Sequence, residues 1–166
     1  MTNKPFTSPK RRIHAWQTAT LAVTTVLVIT LMAACDMKKT MLTASVEAAN
    51  RQCPIDYGDY EMTSIKVDNG NVVMTFEFDD DFMEGMREFQ SDDLKDIFGY
   101  SLALTADDDD VKKMFDIMND TGTGMRLVMT GTDKGDPITI SFTPNEVKNI
   151  ASGNVTVPDD VKELFE

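Results

Sequence analysis

Few side chains in this 166-residue chain carry the groups that do chemistry at neutral pH. There is one His, His14, and there are two Cys, Cys35 and Cys53. Imidazole is the usual general base and the commonest metal ligand. His14 precedes a long apolar run, and no imidazole follows it. Cys53 has no second Cys at C-x-x-C spacing and no His to activate it, so it reads as a small buried hydrophobe. Ser64 and Lys66 make a serine–lysine pair only in the sense that alternate strand residues share a face. Asp79–Asp81 and Asp107–Asp110 could offer oxygens to calcium, which takes about six to eight. The D-x-[DN]-x-[DN]-G loop is missing, however, and acids before an apolar stripe also suit the positive end of a helix dipole. Tyr57 and Tyr60, flanking Gly58, are the expected exposed recognition surface, since tyrosine joins an apolar ring to a polar tip. No catalytic residue, metal ligand set or cofactor site emerges.

The charge balance excludes further classes. Lys plus Arg number 16 against 28 Asp plus Glu, a net charge of −12. Nucleic-acid binding needs clustered cations, and these are scattered and outnumbered. All four cations of residues 1–34 (Lys4, Lys10, Arg11, Arg12) precede an apolar run from Leu21 to Ala34, and this segment holds no acid. A basic start, an apolar stretch of about 14 residues and small residues before a cut mark a cleaved secretory signal. A membrane-spanning helix needs about 20.

The end of that run, Leu31-Met-Ala-Ala-Cys35, resembles the lipobox of bacterial lipoproteins. The resemblance implies cleavage before Cys35, a diacylglycerol on its sulfur, and a further acyl chain such as palmitate on the freed amine. The expected organisation is a signal peptide over 1–34 and one domain over 35–166, anchored to a bacterial membrane and facing the periplasm. Without the leader, 12 cations face 28 acids, giving a net charge of −16. Cys53 is then the one thiol left, so packing alone must hold the fold.

Periodicity lays out the elements. Leu42, Val46, Ala49 and Cys53 recur at helical spacing, and Pro54 ends that helix. Ile55–Glu61 reads as an irregular connection. Asp68-Asn69-Gly70 joins two alternating runs, and Asn-Gly is the signature of a two-residue hairpin turn. Ile65, Val67, Val72, Met74, Phe76 and Phe78 should share the apolar face, with Val73, Thr75 and Glu77 opposite. Three helical stripes follow: Phe82, Met83, Met86, Phe89; then Leu94, Ile97, Phe98, Ser101, Leu102; then Val111, Met114, Phe115, Met118. A second hairpin spans Met125–Phe142. Thr143-Pro-Asn-Glu146 is a capping box with Pro at the first helical position, and Pro158–Phe165 suits a last helical turn or two. Methionines are frequent, and Met86, Met114, Met118, Met125 and Met129 fall on core stripes as flexible filler.

Asn50-Arg-Gln-Cys-Pro54, Gly124-Met-Arg-Leu-Val-Met-Thr-Gly131 and Thr143-Pro-Asn-Glu-Val-Lys148, in this order after the lipobox, resemble small lipoproteins of unknown function from Bacteroides-type gut anaerobes. The resemblance implies a compact α+β lipoprotein domain and supplies no catalytic residues. The expected architecture is a four-stranded antiparallel sheet from two hairpins, with helices packed on one face. The expected role is a non-enzymatic interaction or structural module, bound to the membrane through Cys35 and to an envelope protein. The alternative is a divalent-cation or small-ligand binder that uses the acidic loops.

Overall fold

Two hairpins and a three-helix crossover organise the chain, seen in a computed structural model that describes residues 35–106, 109–133 and 135–156. Residues 1–34, where the signal peptide is expected, and the Pro158–Phe165 segment lie outside the described residues. Helix α1 (Cys35–Asn50) leads to a two-residue strand β1 (Ile55–Asp56), then β2 (Tyr60–Asp68) and β3 (Asn71–Phe78). Helices α2 (Asp80–Arg87), α3 (Ser91–Leu104) and α4 (Asp109–Thr121) follow, and then β4 (Gly124–Gly131), β5 (Ile138–Phe142) and α5 (Pro144–Ala151).

The β2–β3 turn forms as Asn-Gly demands: Asn69 and Gly70 take φ of 47° and 76°, the left-handed pair of a type I′ turn. Strand order is β1-β2-β3-β4-β5, so every strand lies beside its neighbour in sequence. The sheet is mixed and five-stranded, a correction to the expected four antiparallel strands. Each hairpin is antiparallel as expected, but β3 and β4 run parallel, from Asn71 beside Gly124 to Phe78 beside Gly131. Three helices between them carry the chain back to the end where β3 began, and a strand starting there must run the same way. The fifth strand, β1, comes from the segment read as irregular, where Ile55 and Asp56 pair with Met62 and Glu61.

One face of the sheet is packed. Tyr60, Met62, Ile65, Val72, Met74, Phe76, Phe78, Met125, Leu127, Met129, Ile140 and Phe142 are all buried. The phase of β2 changes at a bulge between Met62 and Ser64, which explains how Met62 and Ile65, three apart, share that face. Val67 is 37% exposed despite its apolar parity, whereas Val73, expected to be wet, is 4% exposed between Lys66 and Arg126.

Helix stripes form the other wall. Val111, Met114, Phe115 and Met118 of α4 are buried, as are Leu94, Ile97, Phe98, Ser101 and Leu102 of α3. On α2 the buried pair is Met83 and Met86, while Phe89, read as part of that stripe, is 43% exposed beyond the helix end. Eight of the ten methionines after Cys35 are buried, so their role as filler holds.

Candidate functional site

Asp79 and Asp80 show how the acidic runs are used. Asp79 caps α2, its carboxylate accepting the Phe82 N–H at 2.6 Å. Asp80 reaches the β4–β5 turn, accepting the Asp133 N–H at 3.1 Å and the Thr132 hydroxyl at 2.9 Å. Those two bonds, the Asp133 amide first, hold its carboxyl below the usual range. Arg87, at the far end of α2, donates to the Asp136 carbonyl at 3.2 Å. Both ends of α2 thus grip the second hairpin, a role that no local sequence pattern could reveal. Of the second run, Asp107 and Asp108 lie outside the described residues, and Asp109 opens α4. Among the described residues, no three His, Cys, Asp or Glu side chains are arranged to hold a metal ion.

The tyrosine pair is not an exposed surface, which corrects the expectation. Tyr60 is the first residue of β2 and is 5% exposed, because the strand starts two residues before the apolar alternation shows. Tyr57 is half-buried and stacks on it with ring centroids 5.1 Å apart. The stack continues from Tyr60 to Phe78 at 5.3 Å and from Phe78 to Phe82 at 4.6 Å. Burial pushes the Tyr60 phenol well above its ordinary pKa, with Tyr57 and Asp59 adding to it. Four rings from β1–β2, β3 and α2 therefore make a structural ladder.

Cys53 is half-buried, its thiol 3.8 Å from the Ala49 carbonyl. Burial raises its pKa, so the reactive thiolate is suppressed. Ser64 donates to Thr75 Oγ1 at 3.1 Å rather than meeting a lysine.

Clefts on the described surface include two lined by charged side chains. One, of about 320 Å³, lies between α1 and β2 and is lined by Val46, Glu47, Asn50, Arg51, Ile65 and Lys66 among others. The second, of about 200 Å³, lies between α3, β5 and α5, with Lys95, Phe142 and Glu146 in its wall. Lys95 Nζ sits 2.6 Å from Glu146 and 5.8 Å from the Phe142 ring centroid. Glu146 closes the predicted capping box, accepting the Thr143 N–H at 2.7 Å and its hydroxyl at 2.9 Å. Partial burial would raise the Glu146 pKa, but the bonds from Lys95 and Thr143 together outweigh it and leave it lowered. The Lys95–Glu146 pair in its wall is thus already bound into the α5 cap.

No family model matches the chain, and no curated protein matches it. Two solved structures resemble its fold. A protein of Pseudomonas aeruginosa, described as secreted, is 14% identical, with a TM-score of 0.51 over 70% of this chain and 99% of its own. A pilotin of the Vibrio vulnificus type 2 secretion system is also 14% identical, with a TM-score of 0.47 over 68% of this chain and 93% of its own. At such identity the likeness is one of fold. No helix among the described residues is long and apolar enough to cross a membrane.

Proposed function

We propose that the chain is a lipid-anchored protein of the bacterial cell envelope, whose domain faces the periplasm and acts as a non-enzymatic interaction or structural module. One observation carries this reading. The lipobox-like Leu31–Cys35 adjoins α1 in sequence, and the described part of that helix begins at Cys35. Leu42, Val46 and Ala49 of that helix are buried in the core, and Lys38 in its second turn pairs with Asp120 at the end of α4. An acylated Cys35 would hold the domain close against the bilayer. Two or three acyl chains, at about 0.8 kcal/mol per buried methylene, suffice for stable anchoring.

The side chains favour binding over catalysis. No imidazole follows the leader, and Asp79, Asp80 and Glu146 are engaged in caps and clamps. The fold-level likeness to a protein described as secreted accords with an envelope location. Membership of the Bacteroides-type lipoproteins is part of the same proposal and rests on the short motifs quoted above.

Mass spectrometry of the chain recovered from its own membrane is the test. The expected N-terminus is an acylated Cys35, and Cys35→Ser should leave the leader attached and the acyl chains absent. An unmodified chain beginning elsewhere sinks the proposal. Pulldown of the anchored protein from the same membrane should then bring an envelope protein with it.

A further inference from the structure

The sheet face turned away from the helices carries its charge in separate rows. Strand register sets Lys66, Val73, Arg126 and Ser141 side by side across β2 to β5. Ser64, Thr75, Val128 and Thr139 form the next row. Asp56, Glu61, Glu77 and Thr130 form the third, so three carboxylates stand in line across β1, β2 and β3. With about 3.3 Å per residue, the basic row lies about 13 Å from the acidic one. Like charges directly opposite on adjacent strands destabilise a sheet. Among the described residues, none of these five charged side chains is in an ion pair. With Asp68, paired with Asn71 at the hairpin end, two cations stand against four carboxylates on this face, a net charge of −2 in a chain that carries −16 after Cys35. The remaining acids lie chiefly on the helices and their connections.

We propose that a second copy of this chain docks on this face, about a two-fold axis that runs across the strands along the Ser64–Thr75–Val128–Thr139 row. Such an axis reverses strand direction but keeps each strand over its own counterpart. Lys66 of one copy then meets Glu61 of the second, and Arg126 reaches the neighbouring Glu77. Because the interface is isologous, each pair occurs twice. The middle row holds only small and β-branched side chains, which lets two sheets approach to the usual packing distance of about 10 Å. The carboxylate row, unfavourable in the single chain, gains its counter-charges from the second copy. This assignment goes beyond the envelope reading and does not depend on the anchor.

The test uses two epitope-tagged full-length copies expressed together and extracted in mild detergent. Wild-type copies should co-purify. Lys66→Glu paired with itself sets Glu against Glu, and Glu61→Lys paired with itself sets Lys against Lys. Each should reduce recovery of the second tag by about tenfold or more. Lys66→Glu paired with Glu61→Lys restores both contacts and should return recovery to within about twofold of wild type. That recovery also shows both variants to be folded, and the failure of the self-pairs excludes mere sharing of a micelle. Wild-type copies that do not co-purify, self-pairs as strong as wild type, or a mixed pair that stays apart would each overturn the assignment. An unacylated Cys35 would defeat the anchor proposal and leave this readout unchanged.

Discussion

The side-chain oxygen of Asn50 accepts the backbone N–H of Ile65 at 3.0 Å. Asn50 is the last residue of α1, and Ile65 follows the bulge of β2. β1 pairs only with Glu61 and Met62, so the rest of that edge of β2 lacks a strand partner. One amide side chain therefore closes the helix onto the sheet and satisfies an N–H in a residue that is 2% exposed.

Asn50→Ala should leave that N–H unpaired and cost about 1–3 kcal/mol. Asn50→Asp keeps an acceptor and should cost less. Urea melts would rank the variants, and faster exchange of the Ile65 amide would identify the bond responsible.

Gly124 starts β4 wedged between its two neighbours. A Cβ there would lie 2.7 Å from the Phe142 carbonyl oxygen and would also collide with the Asn71 side chain. Backbone cannot yield as a side-chain tip can, so Gly124→Ala should destabilise by about 1–3 kcal/mol. Gly58, where a Cβ would meet nothing within 4 Å but φ is 88°, should lose less on the same substitution. Thermal melts of the two variants compare them.

Core and surface of α4 should separate cleanly. Phe115 is fully buried, and Phe115→Ala should cost about 3–5 kcal/mol. Lys112 pairs with Asp116 at 3.0 Å, with both side chains more than half exposed. Lys112→Ala should cost at most about 0.5 kcal/mol. Equal losses would mean that α4 is turned the other way.

Glu146 makes part of the stability depend on acid. Its carboxyl titrates below the ordinary 4.5 in the folded chain, so the charged form is favoured by folding. The stabilisation is fully present above that ordinary value and is lost as pH falls through the lowered one. Glu146→Gln should therefore lower Tm at neutral pH, and the gap from wild type should shrink steadily below about pH 4.5. A constant gap from neutral pH to pH 2 would assign the loss to geometry instead of charge.

Much of the framework is visible in residue order. Asn69-Gly70 announces the first hairpin and Thr143 to Glu146 the last helix, and every residue of the expected α3 and α4 stripes is buried, with Gly99 and Ile117 in addition. These are local signals, each written within a few turns or one hairpin. The parallel β3–β4 pairing joins Asn71 to Gly124 and has no local signature. The Asp80 clamp likewise depends on Thr132 and Asp133, which only the crossover brings near. The bulge left one trace, the three-residue spacing of Met62 and Ile65. The place of Tyr60 has no local signal, because a strand's first residue cannot be told from a loop when Gly58 and Asp59 precede it. Candidate-site residues suffered most, since polar side chains take their roles from distant partners.

The methionine-filled core has a redox consequence. Met62, Met74, Met83, Met86, Met114, Met118, Met125 and Met129 are each at most 3% exposed, whereas Met37 is 50% exposed. Sulfoxidation turns an apolar thioether into a polar, chiral group that such a core cannot house. Peroxide should thus convert Met37 promptly and reach the other eight only through opened chains. Each oxidised core sulfur then opposes reclosure, so damage accelerates itself once a molecule has opened. Survival under oxidants becomes a measure of how rarely the domain opens, and methionine sulfoxide reductases become the enzymes on which its recovery depends.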